Sequence, residues 1–142
     1  MYFNRLLKTE RLPTIPGATE FVRALDAAGI PVAVATSATP ENARLSILRI
    51  GLEGIFGAVI TASDVTNGKP HPEPYLKAAD RLGVSAAVCL VIEDSVSGIR
   101  AGKAAGAKCL ALATTFPREV LAAQSPDWLV NRFADIPSEL RP

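Results

Sequence analysis

The chain is short of charge imbalance, of cysteine and histidine, and of any long apolar run. Its 15 Lys and Arg residues nearly cancel its 14 Asp and Glu residues, leaving a formal net charge of +1. That balance gives no electrostatic reason to expect nucleic acid or an acidic membrane surface as a partner. Only two cysteines occur, Cys89 and Cys109, both inside apolar runs, where they read as reduced core residues of a cytoplasmic protein. No apolar stretch approaches the roughly 20 residues of a membrane span. Residues 1–6 lack the basic-then-apolar build of a signal peptide. The sole histidine, His71, sits between prolines and reads as a solvent-facing loop residue rather than a general base. What is present is 49% hydrophobic and 20% charged over 142 residues, enough for one globular domain with a real core.

One stretch organises the chain. Val88-Cys89-Leu90-Val91-Ile92 is an uninterrupted apolar run that ends in Glu93-Asp94, followed by a small-residue turn and an Ala/Gly-rich helix. A run without alternation reads as a strand buried on both faces. Such a strand delivers its next residues to the carboxyl edge of the sheet, where open α/β sheets bind ligands. Two adjacent carboxylates there suggest Mg²⁺ and phosphate chemistry.

The other segments fit an alternating pattern. Ala18, Phe21, Val22 and Leu25 fall at helical spacing, with Gly29 as a stop. A short strand over 31–35 is followed by Thr36-Ser37, and Thr39 can cap a helix that has Pro40 at its first position. An apolar segment over 55–60 precedes a rigid loop, Thr66-Asn67-Gly68-Lys69-Pro70-His71-Pro72. A helix over about 74–82 turns Tyr75, Leu76, Ala79 and Leu82 inward. Further elements are a helix over 99–105, a strand over 109–113, a helix over 117–124 and a short edge strand over 128–130. Residues 1–12 form a short helix or a loose arm. Buried strands alternating with helices through short links give a Rossmann-like, doubly wound parallel sheet of the α/β class.

Three polar clusters fall on one face of that sheet. Thr36-Ser37 offers a hydroxyl and backbone N–H groups before a helix N-terminus, which suits a phosphate oxygen, although ordinary turn chemistry explains it equally. Lys69, flanked by Gly68 and Pro70, is a fixed positive charge for phosphate or a solvated loop lysine. Glu93-Asp94 is a Mg²⁺ site or a helix-dipole complement. Asp64 ends a strand on the same face and could sense the site, but reads rather as a cap or a solvated residue.

Taken together, Ile15-Pro16-Gly17, Val32-Ala33-Val34-Ala35-Thr36-Ser37, Gly68-Lys69-Pro70 with Pro72 and Pro74-Tyr75, Ile92-Glu93-Asp94-Ser95 with Gly98-Ile99, Ala104-Ala105-Gly106-Ala107 and Asp127-Trp128-Leu129-Val130 resemble the haloacid dehalogenase-like hydrolases. The likeness is to the subgroup of β-phosphoglucomutase and phosphoglycolate phosphatase, and it spans about residues 15–130. It implies a Mg²⁺-dependent phosphatase or phosphomutase acting on small phosphorylated metabolites. Thr36 and the Ser37 backbone would hold the phosphoryl group, Lys69 would neutralise it, and Asp94 with Glu93 would hold Mg²⁺. An aspartate would attack phosphorus to give an aspartyl-phosphate, a step that needs cations to lower the repulsion between anions.

The family's first motif, a strand ending in Asp-x-Asp, has no match. The six aspartates are Asp26, Asp64, Asp80, Asp94, Asp127 and Asp135, and none precedes the first helix. Residues 1–14 therefore read as an arm left from the helix joining cap to core, and residues 15–142 as a core missing its first, central strand and the helical cap. Three completions are open: the flanking strands close up, the arm enters the gap, or another chain fills it. A closed-up sheet, a homo-oligomer or a partner-completed sheet is favoured over an open gap. Without the nucleophile the chain alone is expected to be inactive and to bind Mg²⁺ weakly. The alternatives are a non-catalytic phosphate binder, an interaction module, or a fragment completed by a partner chain.

Overall fold

The computed structural model describes residues 4–7 and 15–142. Six parallel strands form one sheet in the order β3-β2-β1-β4-β5-β6. They are β1 (Asn4–Leu7), β2 (Val32–Ala35), β3 (Ala58–Ile60), β4 (Cys89–Glu93), β5 (Lys108–Leu112) and β6 (Trp128–Val130). The helices are α1 (Ala18–Ala27), α2 (Pro40–Arg49), α3 (Glu73–Leu82), α4 (Val96–Ala104) and α5 (Arg118–Ala122). The described residues make one α/β core and no separate helical cap.

The central position of the sheet is filled. Asn4–Leu7 of the arm form a strand, not a helix, and pair in parallel with β2 on one side and β4 on the other. Entry of the arm, the second completion, therefore fills the gap, in place of the favoured closing-up or filling by another chain. The physical reason lies in the neighbours: every residue of β2 and β4 is buried, so their facing ladders need backbone partners away from water. The rest of the arm lies outside the described residues.

Side-chain alternation along the strands builds two cores. Val32, Val34, Leu90, Ile92, Leu110 and Leu112 face α1, α2 and the C-terminal turns around Phe133 and Leu140. Ala33, Ala35, Cys89, Val91, Cys109 and Ala111 face Tyr75 and Ala79 of α3, Ile99 and Ala101 of α4, and Leu121 of α5. The second face is made of small residues, so its helices come close. A Cβ on Gly102 would stand 2.8 Å from Cys109 Sγ. Neither cysteine forms a disulfide and both are buried, and burial pushes the Cys109 thiol up to about 12.

Several local expectations are met by specific bonds. Thr39 caps α2 by accepting from the Asn42 amide at 3.2 Å, and Gly83 closes α3 with φ 75°. Others shift. The inner face of α3 is Pro74, Tyr75, Ala78 and Ala79, while Leu76 is 46% exposed. Leu76 lies one residue, or about 100°, round the helix from Tyr75, which puts it off the stripe centred on 75, 79 and 82. α4 begins at Val96, capped by Ser95, so Glu93 and Asp94 run almost directly into a helix. No helix among the described residues is long and apolar enough to cross a membrane.

Candidate functional site

The carboxyl edge of the sheet gathers the predicted residues because β2 and β4 flank the same strand. β1 pairs Leu7 with Val34 and Ile92, one residue short of Ala35 and Glu93. Directly beyond these stand Thr36-Ser37 and Asp94. A pocket of about 310 Å³ lies at this edge, lined by Thr36, Ser37, Thr66, Gly68, Lys69 and Ser97 among others. Thr36-Ser37 and Lys69, separate in sequence, share it.

Lys69 is brought in by its loop. The Glu73 carboxylate, in the first turn of α3, accepts from the Thr66 amide at 2.8 Å and the Asn67 amide at 3.1 Å. Those two amides hold the Glu73 carboxyl below the usual carboxylate range. His71 is exposed, and its Nδ1 accepts from the Glu73 amide at 3.0 Å, so it helps to start α3. From this loop Lys69 Nζ donates to Glu93 Oε2 at 2.7 Å and to the Ala35 carbonyl at 3.2 Å. The ammonium thus bridges the ends of the two strands that flank β1.

Glu93 belongs to the α3/α4 face of β4, in phase with Cys89 and Val91. Its side chain is fully buried. Oε2 accepts from Lys69 and from Tyr75 Oη at 2.5 Å; Oε1 accepts from the Asp94 amide and Ser95 Oγ, both at 3.2 Å. Asp94 takes a different environment. Its Oδ2 accepts from Thr115 Oγ1 at 3.1 Å, a residue in the segment after β5. Thr36 is 4% exposed, and its Oγ1 accepts from the Ala38 amide at 3.0 Å, which leaves the hydroxyl proton to donate. Asp64 stays outside this cluster. It caps a short turn through the Thr61 amide, which lowers its carboxyl, and pairs with Arg81 at 3.0 Å.

The haloacid dehalogenase-like hydrolase model matches residues 2–106. The chain belongs to that family. Within it, the chain is similar to the phosphoglycolate phosphatase and β-phosphoglucomutase subgroup. It is 42% identical over 134 residues to glycerol-1-phosphate phosphohydrolase 1 of Saccharomyces cerevisiae, covering 86% of this chain and 52% of the yeast protein. It is 38% identical over 128 residues to the bifunctional riboflavin kinase/FMN phosphatase of Arabidopsis thaliana, covering 89% of this chain and 34% of that one. In structure it is similar to a family hydrolase of Deinococcus radiodurans solved with bound phosphate and sodium, with TM-score 0.80, 34% identity, and coverage of 89% of this chain and 58% of that chain. The chain therefore spans between a third and somewhat over half of these three relatives.

Against the family frame, β1 takes the central place assigned to the nucleophile strand, and Asn4, Arg5, Leu6 and Leu7 include no acid. The Mg²⁺ expectation can be tested on the donors. Among the described residues there is no group of three or more His, Cys, Asp or Glu side chains that could hold a metal ion. Both Glu93 oxygens already accept hydrogen bonds from protein groups. Mg²⁺ needs several oxygens in place of its waters, and the described side chains do not assemble that set. Sequence reasoning missed Tyr75, Ser95, Gly98 and Thr115 as parts of the site. Ser95 had a local signal, its place directly after the acids; Tyr75 and Gly98 stood in the motifs that carry the resemblance without a role attached, and Thr115 reaches Asp94 from another element and had no signal.

Proposed function

We propose that this chain is the phosphate-holding half of a phosphohydrolase or phosphomutase site for small phosphorylated metabolites. The observation that carries it is the convergence of Lys69 with Thr36 and Ser37 on one pocket at the carboxyl edge. Those parts can do definite chemistry. The Thr36 hydroxyl donates to a phosphate oxygen, the Ser37 backbone assists as the family resemblance implies, and Lys69 offsets charge on the anion. The relatives point the same way, since the yeast and Arabidopsis proteins carry phosphomonoester-cleaving names.

Asp94, fixed by Thr115, is the family's metal-side acid by resemblance. The other acids of the reaction come from outside the described residues, and a carboxylate nucleophile delivered beside Lys69 would complete the site. On its own the chain binds phosphate without turning over an ester. Calorimetric titration with inorganic phosphate tests this directly: heat of binding that disappears in Lys69→Met is expected, and absence of binding by the unaltered chain overturns it.

A further inference from the structure

Glu93 and Asp94 are adjacent in sequence but face different tasks. Strand alternation sends Glu93 under α3 and α4, where its carboxylate accepts hydrogen bonds from Lys69, Tyr75, Ser95 and the Asp94 amide. Room for it exists only because residue 98 is glycine: a Cβ there would stand 1.9 Å from Glu93 Cδ and 2.1 and 2.2 Å from its two oxygens. Tyr75 touches both members of the ion pair. Its hydroxyl donates to Glu93 Oε2 at 2.5 Å, and its ring lies under Lys69 Nζ, 4.8 Å from the centroid. It is itself fully buried on the inner face of α3.

We propose that Tyr75 is the residue that positions Lys69, acting through Glu93, and that the Glu93 carboxylate is the fixed counter-charge of that lysine rather than a metal ligand. Each contact restricts the ammonium in a different way. A lysine stem is flexible and its ammonium is a strongly hydrated point charge, so an ion pair alone does not fix its direction. The Tyr75 hydroxyl holds the oxygen to which Lys69 bonds, while Ser95 and the Asp94 amide hold the other oxygen. The ring adds a cation–π contact that favours the same ammonium position. With the carboxylate immobile, Lys69 can reach both Glu93 and the Ala35 carbonyl, and its ammonium stays at the pocket between β2 and β4. For its consequence at phosphate the inference rests on the phosphate reading above; the positioning itself does not.

The test is Tyr75→Phe, which keeps the ring and removes the hydroxyl, read three ways. First, the side-chain ammonium of Lys69 is followed by ¹⁵N NMR of the full chain. A distinct, slowly exchanging signal is expected in the unaltered protein and its loss in Tyr75→Phe; an unchanged signal overturns the positioning role. Second, affinity for inorganic phosphate should fall about tenfold, as for a lost hydrogen bond to a charged group. Failure of the unaltered chain to bind phosphate would sink the phosphate reading, and the ammonium signal would still decide the role of Tyr75. Third, Mn²⁺ should broaden the resonances around residue 93 equally in the unaltered chain and in Glu93→Gln. Broadening that Glu93→Gln abolishes makes Glu93 a metal ligand and overturns the proposal. Should Tyr75→Phe fail to fold, Glu93→Gln carries the ammonium measurement with the same two outcomes.

Discussion

Replacing Gly98 by alanine sets two effects against each other. Gly98 lies inside α4, where an exposed Gly→Ala change gains about 1 kcal/mol of helix stability. Here the added methyl would fall 1.9 Å from Glu93 Cδ, a distance no non-bonded pair tolerates. The carboxylate must therefore leave Lys69, Tyr75, Ser95 and the Asp94 amide. Breaking a buried ion pair so that one partner is stranded costs about 3–5 kcal/mol. Subtracting the helix gain leaves a net loss of about 2–4 kcal/mol. Urea unfolding followed by circular dichroism would report it as a lower midpoint at unchanged slope. The decisive control is the Glu93→Ala background. The three nearest atoms to the added methyl all belong to Glu93, so there Gly98→Ala should be neutral or mildly stabilising. The reasoning is refuted if Gly98→Ala matches the unaltered protein in stability, or if its cost is the same without the Glu93 side chain.

Two further outcomes follow from the loop and the missing acid. The Glu73 carboxyl is held below its usual range by the Thr66 and Asn67 amides. A lowered folded value means that its contribution is fully present above the ordinary glutamate range and is lost as pH falls through the lowered value. Hydrogen exchange at those two amides should thus stay slow at neutral pH and lose protection only in acid, whereas Glu73→Ala should lose it at neutral pH; exchange indifferent to both refutes the anchoring role. The chain alone should not hydrolyse p-nitrophenyl phosphate, and turnover that vanishes in Asp94→Asn would show that it carries a complete site.

Much of the fold was legible because its signals are local. Apolar runs such as 88–92, the Thr39-Pro40 cap and the glycine stops each fix an element from a few neighbouring residues. The Lys69 loop was legible too, since its prolines and Gly68 restrict the backbone where they stand. β1 was not. Four residues, Asn-Arg-Leu-Leu, carry no strand signature, and what makes them a strand is the pair of open ladders on β2 and β4. The surroundings of Glu93 were hidden for a related reason. In a run buried on both faces composition hides the alternation, so the sequence did not show that Glu93 follows Cys89 and Val91 beneath α3. Tyr75 and Gly98 then make its environment from other elements, 18 residues before it in the case of the tyrosine.

The central claim is that Thr36, Ser37 and Lys69 form one phosphate-holding pocket. Its most direct measurement is a residue-resolved NMR titration of the full chain with inorganic phosphate. Saturable shifts at the amides of Thr36 and Ser37 and at the Lys69 ammonium, absent in Lys69→Met, are predicted. Shifts confined to other surfaces, or none at these three residues, would contradict the account.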